Sequence, residues 1–279
     1  MKPRRLHALM LPVALLAAAS CSRANQPLGE GGLIPSMAQA TASAAAEAAS
    51  RTNPAATGEG PRRLELQATP TPFTVPADDI RSNLDLAHPS RFDDFDNPQT
   101  WFDYDTPGRA AYWVTEGKLF GLDYEPEEVF VWETYTDTAS GNVYTEVSAT
   151  NGDCIGRDAM GLVIRVDRQA AAGGYSLEVS CDGAWRFRLH QIGSDQVDLV
   201  EWTDSDAIHT GPGATNRLGL WGYQARFRMY VNGQEVGEYW DTRYHHSYGT
   251  FALYTRASQT YDLTGTFDDF AYWNIDYLP

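Results

Sequence analysis

A cysteine at position 21 ends an N-terminal segment whose composition favours covalent modification. A basic start precedes the apolar stretch Leu6 to Ala19, and the tetrad Ala18-Ala19-Ser20-Cys21 places small residues directly before the thiol. This order is typical of a bacterial lipobox, where a peptidase cuts before the cysteine and acyl chains are attached to it. The sequence therefore predicts a signal peptide over residues 1–20 and lipidation at Cys21.

The same segment allows a second interpretation of the leader. Ala17-Ala18-Ala19 also fits ordinary signal peptidase, which would release a soluble secreted protein. The apolar run of about 14 residues is shorter than the roughly 20 that a membrane-spanning helix needs. Both interpretations place the protein outside the cytoplasm. Lipid anchoring to the cell membrane or outer membrane is the favoured one, and secretion is the alternative.

The other two cysteines are suited to a different chemistry. Cys154 and Cys181 remain as a pair once Cys21 is acylated. Exported proteins work in an oxidising compartment, where such pairs form disulfides. We therefore expect a Cys154–Cys181 disulfide, with two buried free thiols as the alternative.

Charge and composition divide the chain and exclude one class of partner. The chain has 21 Lys and Arg against 37 Asp and Glu, a net charge of −16. Nucleic acid is therefore not an expected partner, because phosphate binding needs clustered basic residues.

Residues 21–79 are rich in Ala, Ser, Thr and Pro and poor in large apolar residues, which predicts a flexible tether. Residues 80–279 form the expected folded domain.

Short apolar or alternating runs separated by Gly, Asp and Asn clusters predict an all-β domain without helices. The Asp182-Gly183 dipeptide suits a tight hairpin. So many strands imply a sandwich of two antiparallel sheets. The predicted strands are 110–114, 118–122, 129–134, 143–147, 160–166, 175–180, 185–190, 197–202, 218–223, 226–231, 235–239, 251–255 and 263–273.

The residues around one predicted hairpin carry a resemblance to a known superfamily. The segment from Asn216 to Trp221, followed by Met229-Tyr230-Val231-Asn232-Gly233, resembles the concanavalin A-like lectin/glucanase superfamily and its laminin-G-like jelly rolls. The resemblance spans about residues 90–279 and implies a jelly-roll β-sandwich. Its implication for function is broad, because this fold hosts lectins, hydrolases and protein-binding modules.

Two acidic pairs occupy related positions at the ends of the domain. Phe92-Asp93-Asp94-Phe95 begins it, and Phe267-Asp268-Asp269-Phe270 lies near its end. Terminal strands of such jelly rolls lie side by side, which would bring Asp93, Asp94, Asp268 and Asp269 together. Four close carboxylates repel one another unless a cation such as Ca²⁺ offsets them. A calcium site is one hypothesis, and solvated edge charges are the other.

The sequence lacks the signature of one hydrolase group with this fold. Concanavalin A-like glucanases carry Glu-x-Asp on one strand, and no Glu of this chain has Asp two positions later. This absence favours binding over cleavage. A glycoside-processing hydrolase similar to the 3-keto-disaccharide hydrolases remains an alternative, as does a protein-binding or adhesion module.

A set of polar and aromatic side chains on neighbouring strands indicates a binding face. Strand alternation turns Arg165, Glu178 and Arg188 away from their apolar neighbours, and Trp221 is expected to share their face. An indole beside planar hydrogen-bonding groups suits a sugar ring, which has apolar C–H faces edged by hydroxyls. The sequence thus predicts carbohydrate binding at the cell surface. The alternative is that Arg and Glu are cross-strand partners and Trp221 is packing.

Overall fold

The computed structural model describes residues 75–126, 132–135, 140–243 and 245–276. The predicted signal peptide, Cys21 and the predicted tether up to residue 74 lie outside these residues. Single 3₁₀ turns occur at Ile80–Asn83 and Pro98–Thr100. The strands are β1 (Arg91–Asp93), β2 (Tyr104–Thr106), β3 (Ala110–Thr115), β4 (Lys118–Asp123), β5 (Glu133–Thr134), β6 (Val143–Asn151), β7 (Ala159–Val166), β8 (Gly174–Ser180), β9 (Ala184–His190), β10 (Val197–Asp204), β11 (Thr215–Tyr223), β12 (Arg226–Val231), β13 (Gln234–Trp240), β14 (Thr250–Arg256) and β15 (Leu263–Asn274).

The strands form two antiparallel sheets. A nine-stranded sheet has the order β13-β12-β11-β6-β15-β4-β3-β2, with β1 also paired to β15. A six-stranded sheet has the order β10-β9-β8-β7-β14-β5. Consecutive strands such as β7, β8 and β9 are neighbours, whereas β6 lies between β11 and β15 and requires crossovers. This is the all-β sandwich of two antiparallel sheets, with the crossovers of a jelly roll, that the sequence predicts.

Alternating side chains from the two sheets build the core between them. Tyr175 and Phe187 of the six-stranded sheet contact Phe227 of the nine-stranded sheet, with ring centroids 4.3 and 5.2 Å away. All three are fully buried. Period-two alternation brings every second residue of each strand to this interior. The residues between them form the outer face of each sheet, and these outer faces differ in chemistry.

Two hairpins follow from their turn residues. Asn232 and Gly233 join β12 to β13 with φ values of 49° and 81°, as a two-residue type I′ turn requires. Gly183 (φ 95°) is the last turn residue between β8 and β9.

The predicted disulfide is present: Cys154 and Cys181 are bonded, with an S–S distance of 2.01 Å. The bond links the segment before β7 to the residue after β8.

The segment that leads into the domain covers the outer face of the nine-stranded sheet. Arg81 is 1% exposed and lies 3.7 Å from the centroid of the Tyr230 ring. Its guanidinium donates to the Tyr144 hydroxyl and to the carbonyl of Gly233. The Trp273 indole donates to the Asp85 carbonyl across the same face. Within the part of the chain that the structure describes, no helix has the length and apolarity to cross a membrane.

Candidate functional site

The outer face of the six-stranded sheet carries a buried group of charges, here called the charged ladder: Glu178, Arg186, Arg188 and Asp198. The Arg186 Nε donates to Glu178 Oε2 at 2.8 Å, and Arg188 Nη1 donates to Glu178 Oε1 at 3.3 Å. Both arginines also donate to Asp198 on the edge strand β10. The Trp202 ring lies 4.4 Å from the Arg186 guanidinium carbon. The ladder therefore ties β8, β9 and β10 together beneath an indole.

The ladder is balanced in charge. Glu178 is 0% exposed, and burial alone would raise the pKa of its carboxyl. The positive charges of Arg186 and Arg188 outweigh that effect and hold the pKa of Glu178 below its usual value. Glu178 is therefore an anion at neutral pH, with each oxygen bonded to a cation. Sequence alternation correctly places Glu178 and Arg188 on one face, where Arg186 lies opposite Glu178 and Arg188 reaches it diagonally.

A chain of hydrogen bonds continues from the ladder to His190. The Tyr254 hydroxyl is 2.6 Å from Glu178 Oε1 and 3.1 Å from Ser176 Oγ. Ser176 Oγ is in turn 2.7 Å from His190 Nε2. Burial lowers the pKa of His190 to about 3. The imidazole is thus neutral at physiological pH and is held in one orientation.

His190 forms part of the wall of a cavity of about 500 Å³ on this face. The Trp132 ring stands edge-on to His190, with centroids 4.9 Å apart, and also approaches Tyr254 at 6.0 Å. The cavity volume is within the range of small-ligand sites. The described residues that line it are Phe102, Tyr104, Trp132, Thr134, Ala171, Ala172, Gly173, His190, Gln191, Ser194 and Gln196.

The lining combines aromatic rings with uncharged hydrogen-bonding groups. Trp132 and Phe102 offer flat apolar surface, and Phe102 is 57% exposed. Gln191, Ser194 and Gln196 offer amide and hydroxyl groups that both donate and accept hydrogen bonds. Uncharged ligands with apolar faces and hydroxyl edges match this pattern. We call this feature the Trp132 cavity.

The prediction that Trp221 lies on the same face as Glu178 and Arg188 is wrong. Trp221 belongs to β11 in the other sheet, where alternation points Leu220 into the core and Trp221 outward. It is 1% exposed, because Tyr144, Tyr230 and the entering segment pack around it. Trp221 is therefore a packing residue, as the alternative interpretation held.

Arg165 also lies elsewhere than expected. It is the extra residue of a β-bulge, since Val166 pairs with Thr250 and Ile164 with Phe251. Its φ of 60° breaks the alternation and turns the guanidinium toward the end of the sandwich. There it donates to the carbonyls of Gly141 and Gln224 at 2.8 Å. Arg165 is 1% exposed and joins loops.

The two acidic pairs are not gathered into one set of potential metal ligands in the described part of the chain. Strands β1 and β15 are neighbours as predicted, but the carboxylates of Asp93, Asp94 and Asp268 bond to separate partners. Asp93 is buried and accepts from the Phe95 amide and the Trp101 indole, while Asp94 accepts from the Asp96 amide. Asp268 pairs with Lys118 Nζ at 2.6 Å and accepts from the amide of Asp269. Among the described residues, no group of three or more His, Cys, Asp or Glu is placed to hold a metal ion.

Sequence reasoning missed the aromatic lining of the cavity. Trp132 lies in the predicted strand 129–134, but nothing in that run shows which residue covers the outer face of the six-stranded sheet. Phe102 and Tyr104 come from a segment with no strong strand pattern, and Tyr104 belongs to the three-residue edge strand β2. Only the pairing of distant strands brings these rings to His190.

Comparisons with known proteins describe the fold. No protein-family model matches the chain, and no curated protein matches it. Among solved structures, it is similar to the carbohydrate-binding module CBM66 from Bacillus subtilis, with 19% identity, a TM-score of 0.44, and coverage of 64% of this chain and 98% of that module. It is also similar to the β-glucanase of Bacillus licheniformis, with 13% identity, a TM-score of 0.47, and coverage of 67% and 99%. A GH43 protein from Bacillus licheniformis gives 14% identity and a TM-score of 0.49, over 66% of this chain and 39% of that one. These similarities concern architecture and leave the ligand to be argued from the site.

Proposed function

We propose that this protein binds uncharged carbohydrate in the Trp132 cavity and is held at the cell surface by a lipid on Cys21. The observation that carries the proposal is the lining of the cavity, in which aromatic rings stand beside neutral hydrogen-bonding side chains. A sugar ring stacks its C–H face on an indole and directs its hydroxyls to amides and hydroxyl groups. The carbohydrate-binding module among the similar structures agrees with this class of ligand without adding to the argument.

The surroundings of the cavity support recognition by a rigid surface. His190 is fixed through Ser176 and Tyr254, which are themselves fixed by the charged ladder. Groups that are held in place before a ligand arrives lose little conformational entropy when it binds. The buried ladder thus acts beneath the site by positioning His190, and Glu178 and Arg188 support the ligand-contacting residues rather than touching the ligand.

At the Trp132 cavity the electrostatics favour binding over hydrolysis, because none of the described residues that line it carries a carboxyl group. A sugar hydrolase of the two-carboxylate type needs one carboxyl with a raised pKa, so that it can donate a proton. The pKa of Glu178 is shifted downward instead, and both of its oxygens are bonded to arginines or to Tyr254. Glu178 is consequently suited to a structural role.

A glycan array probed with the full-length chain in mild detergent tests the proposal. We expect binding to uncharged glycans that falls at least tenfold in Trp132→Ala. Trp240→Ala is the matched control, because Trp240 is 63% exposed and is not among the residues that line the Trp132 cavity. Absence of binding to every glycan on the array, or equal loss in both variants, would refute the proposal.

The anchor is tested independently of the ligand. Cys21→Ser removes the thiol that would be acylated, so the mature protein should move from the membrane fraction to the soluble fraction. An inhibitor of the lipoprotein signal peptidase should cause the unprocessed form of the unaltered chain to accumulate. Normal maturation under that inhibitor would indicate the secreted form.

A further inference from the structure

A second cavity lies on the outer face of the other sheet, at its β2-β3-β4 edge. Alternation places Trp113 on β3 and Phe120 on β4 side by side on this face, and their rings are stacked with centroids 5.4 Å apart and planes 10° apart. Both rings are only partly buried. The cavity is shallow and measures about 460 Å³; its lining is Asp103, Tyr104, Asp105, Ala111, Tyr112, Trp113, Leu122 and Tyr124.

Polar groups edge this aromatic surface. The Tyr124 hydroxyl donates to Asp105 Oδ1 at 3.0 Å, and Asp103 Oδ1 accepts from the Val114 amide at 3.2 Å. Both aspartates are exposed. Carboxylate oxygens beside an indole supply hydrogen-bond acceptors for the hydroxyls of a ring stacked on that indole. The surface thus also places hydrogen-bonding groups beside aromatic rings, but here these groups are carboxylates and the surface is open.

Tyr104 connects the two cavities. This residue of the edge strand β2 lines both of them. The Trp132 cavity lies against the six-stranded sheet, and the Trp113 surface belongs to the nine-stranded sheet. A ligand that fills the first cavity and continues past Tyr104 therefore reaches the second around the edge of the sandwich.

We propose that the two cavities form one track for a single polysaccharide chain, with the Trp132 cavity holding a short stretch of it and the Trp113 surface holding a later stretch. This inference rests on the proposed function and names its ligand as a polymer. An extended chain binds more tightly when it also contacts the second surface. Once the chain is held in the first cavity, the second contact forms within the same complex, at a high effective concentration. The polymer is uncharged, since Asp103, Asp105 and a net charge of −16 repel an anionic chain.

The test compares polymers with short fragments of the same polymers. The probes are barley β-glucan, arabinoxylan and galactomannan, each with its di- to hexasaccharides, measured against the full-length chain by affinity electrophoresis and titration calorimetry. We expect Trp113→Ala to bind the polymer about tenfold more weakly, with unchanged affinity for the disaccharide. Trp132→Ala should lose both, and Trp240→Ala should lose neither.

The outcomes separate the two proposals. Unchanged disaccharide binding in Trp113→Ala shows that the variant is folded. A second variant, Asp105→Ala, changes an exposed side chain and should weaken polymer binding to a smaller extent. Polymer binding by Trp113→Ala equal to that of the unaltered protein would overturn the track, while a loss in Trp132→Ala would leave the proposed function intact. If Trp113→Ala changes only the oligomeric state, measured as the molecular mass in solution, this face is a contact between copies of the chain. That result would also overturn the track. Failure of all three polymers and their fragments to bind would overturn it as well.

Discussion

Replacing Glu178 with Gln perturbs the charged ladder at its centre. The substitution preserves the shape of the side chain and removes its charge. In the native protein the two carboxylate oxygens accept from Arg186, Arg188 and Tyr254 at 2.8, 3.3 and 2.6 Å, in a site with 0% exposure. In the variant, both arginines remain buried and keep only Asp198 as a charged partner within the ladder.

The expected cost follows from that burial. Removing one partner of a buried ion pair destabilises by about 3–5 kcal/mol, because an uncompensated charge remains. Gln retains one carbonyl acceptor, so we expect about 3 kcal/mol, the lower end of that range. The matched control is Glu238→Gln, whose carboxylate is 55% exposed beside an Arg226 that is 34% exposed. An exposed pair contributes about 0–1 kcal/mol.

Urea unfolding with the disulfide intact measures both variants. The loss in Glu178→Gln should also depend on pH. The pKa of Glu178 is lowered in the folded state, so its charge stabilises the fold above the unfolded value of 4.5 and this contribution disappears as the pH falls through the folded value. The gap between native and variant should therefore narrow in acid. A gap below 0.5 kcal/mol at pH 7, roughly the size expected for an ordinary surface substitution, would refute the description of the ladder.

Three further predictions address other parts of the structure. Replacing both Cys154 and Cys181 with Ser should lower the free energy of unfolding by about 3–4 kcal/mol, because the disulfide closes a loop with a separation of 27 residues. Urea unfolding measures this loss, and an unchanged midpoint would contradict the prediction. Trp221→Ala should lower the free energy of unfolding by about 3–5 kcal/mol because the indole is buried, and the folded variant should keep its saccharide affinity. Lost affinity in calorimetric titration, together with unchanged stability, would refute the packing role. Saccharide affinity should be constant between pH 5 and 8 because His190, with a pKa of about 3, stays neutral there; a transition near pH 6.5 that disappears in His190→Gln would contradict this.

Much of the sandwich can be predicted from the sequence because its causes are local. The alternation in 185–190 indicates which residues of β9 point outward, and that assignment places Arg188 correctly beside Glu178. Asn232-Gly233 specifies its two-residue turn because both residues tolerate positive φ. The strand alternation and the turn depend on neighbours in the chain, and the disulfide is expected from the predicted export and the count of cysteines.

The composition of the binding face depends on distant contacts, and the sequence predicts it poorly. Trp221 alternates outward as expected, but its face is covered by a segment about 140 residues earlier that Arg81 fixes in place. Arg165 departs from its strand pattern because of one bulge residue, which no periodicity indicates. Trp132 precedes the edge strand β5 of one sheet and Tyr104 lies on the edge strand β2 of the other, yet both line the same cavity. Topology therefore determines which aromatic residues form the site.

The central claim is that saccharide binds at Trp132 and not at Trp221. Indole N–H resonances in NMR spectra distinguish the two side chains once Trp132→Phe and Trp221→Phe assign them. Titration with the uncharged glycan that binds most strongly on the array should shift the Trp132 signal in a saturable manner and leave the Trp221 signal in place. A saturable shift of Trp221 with an unchanged Trp132 signal would contradict the account.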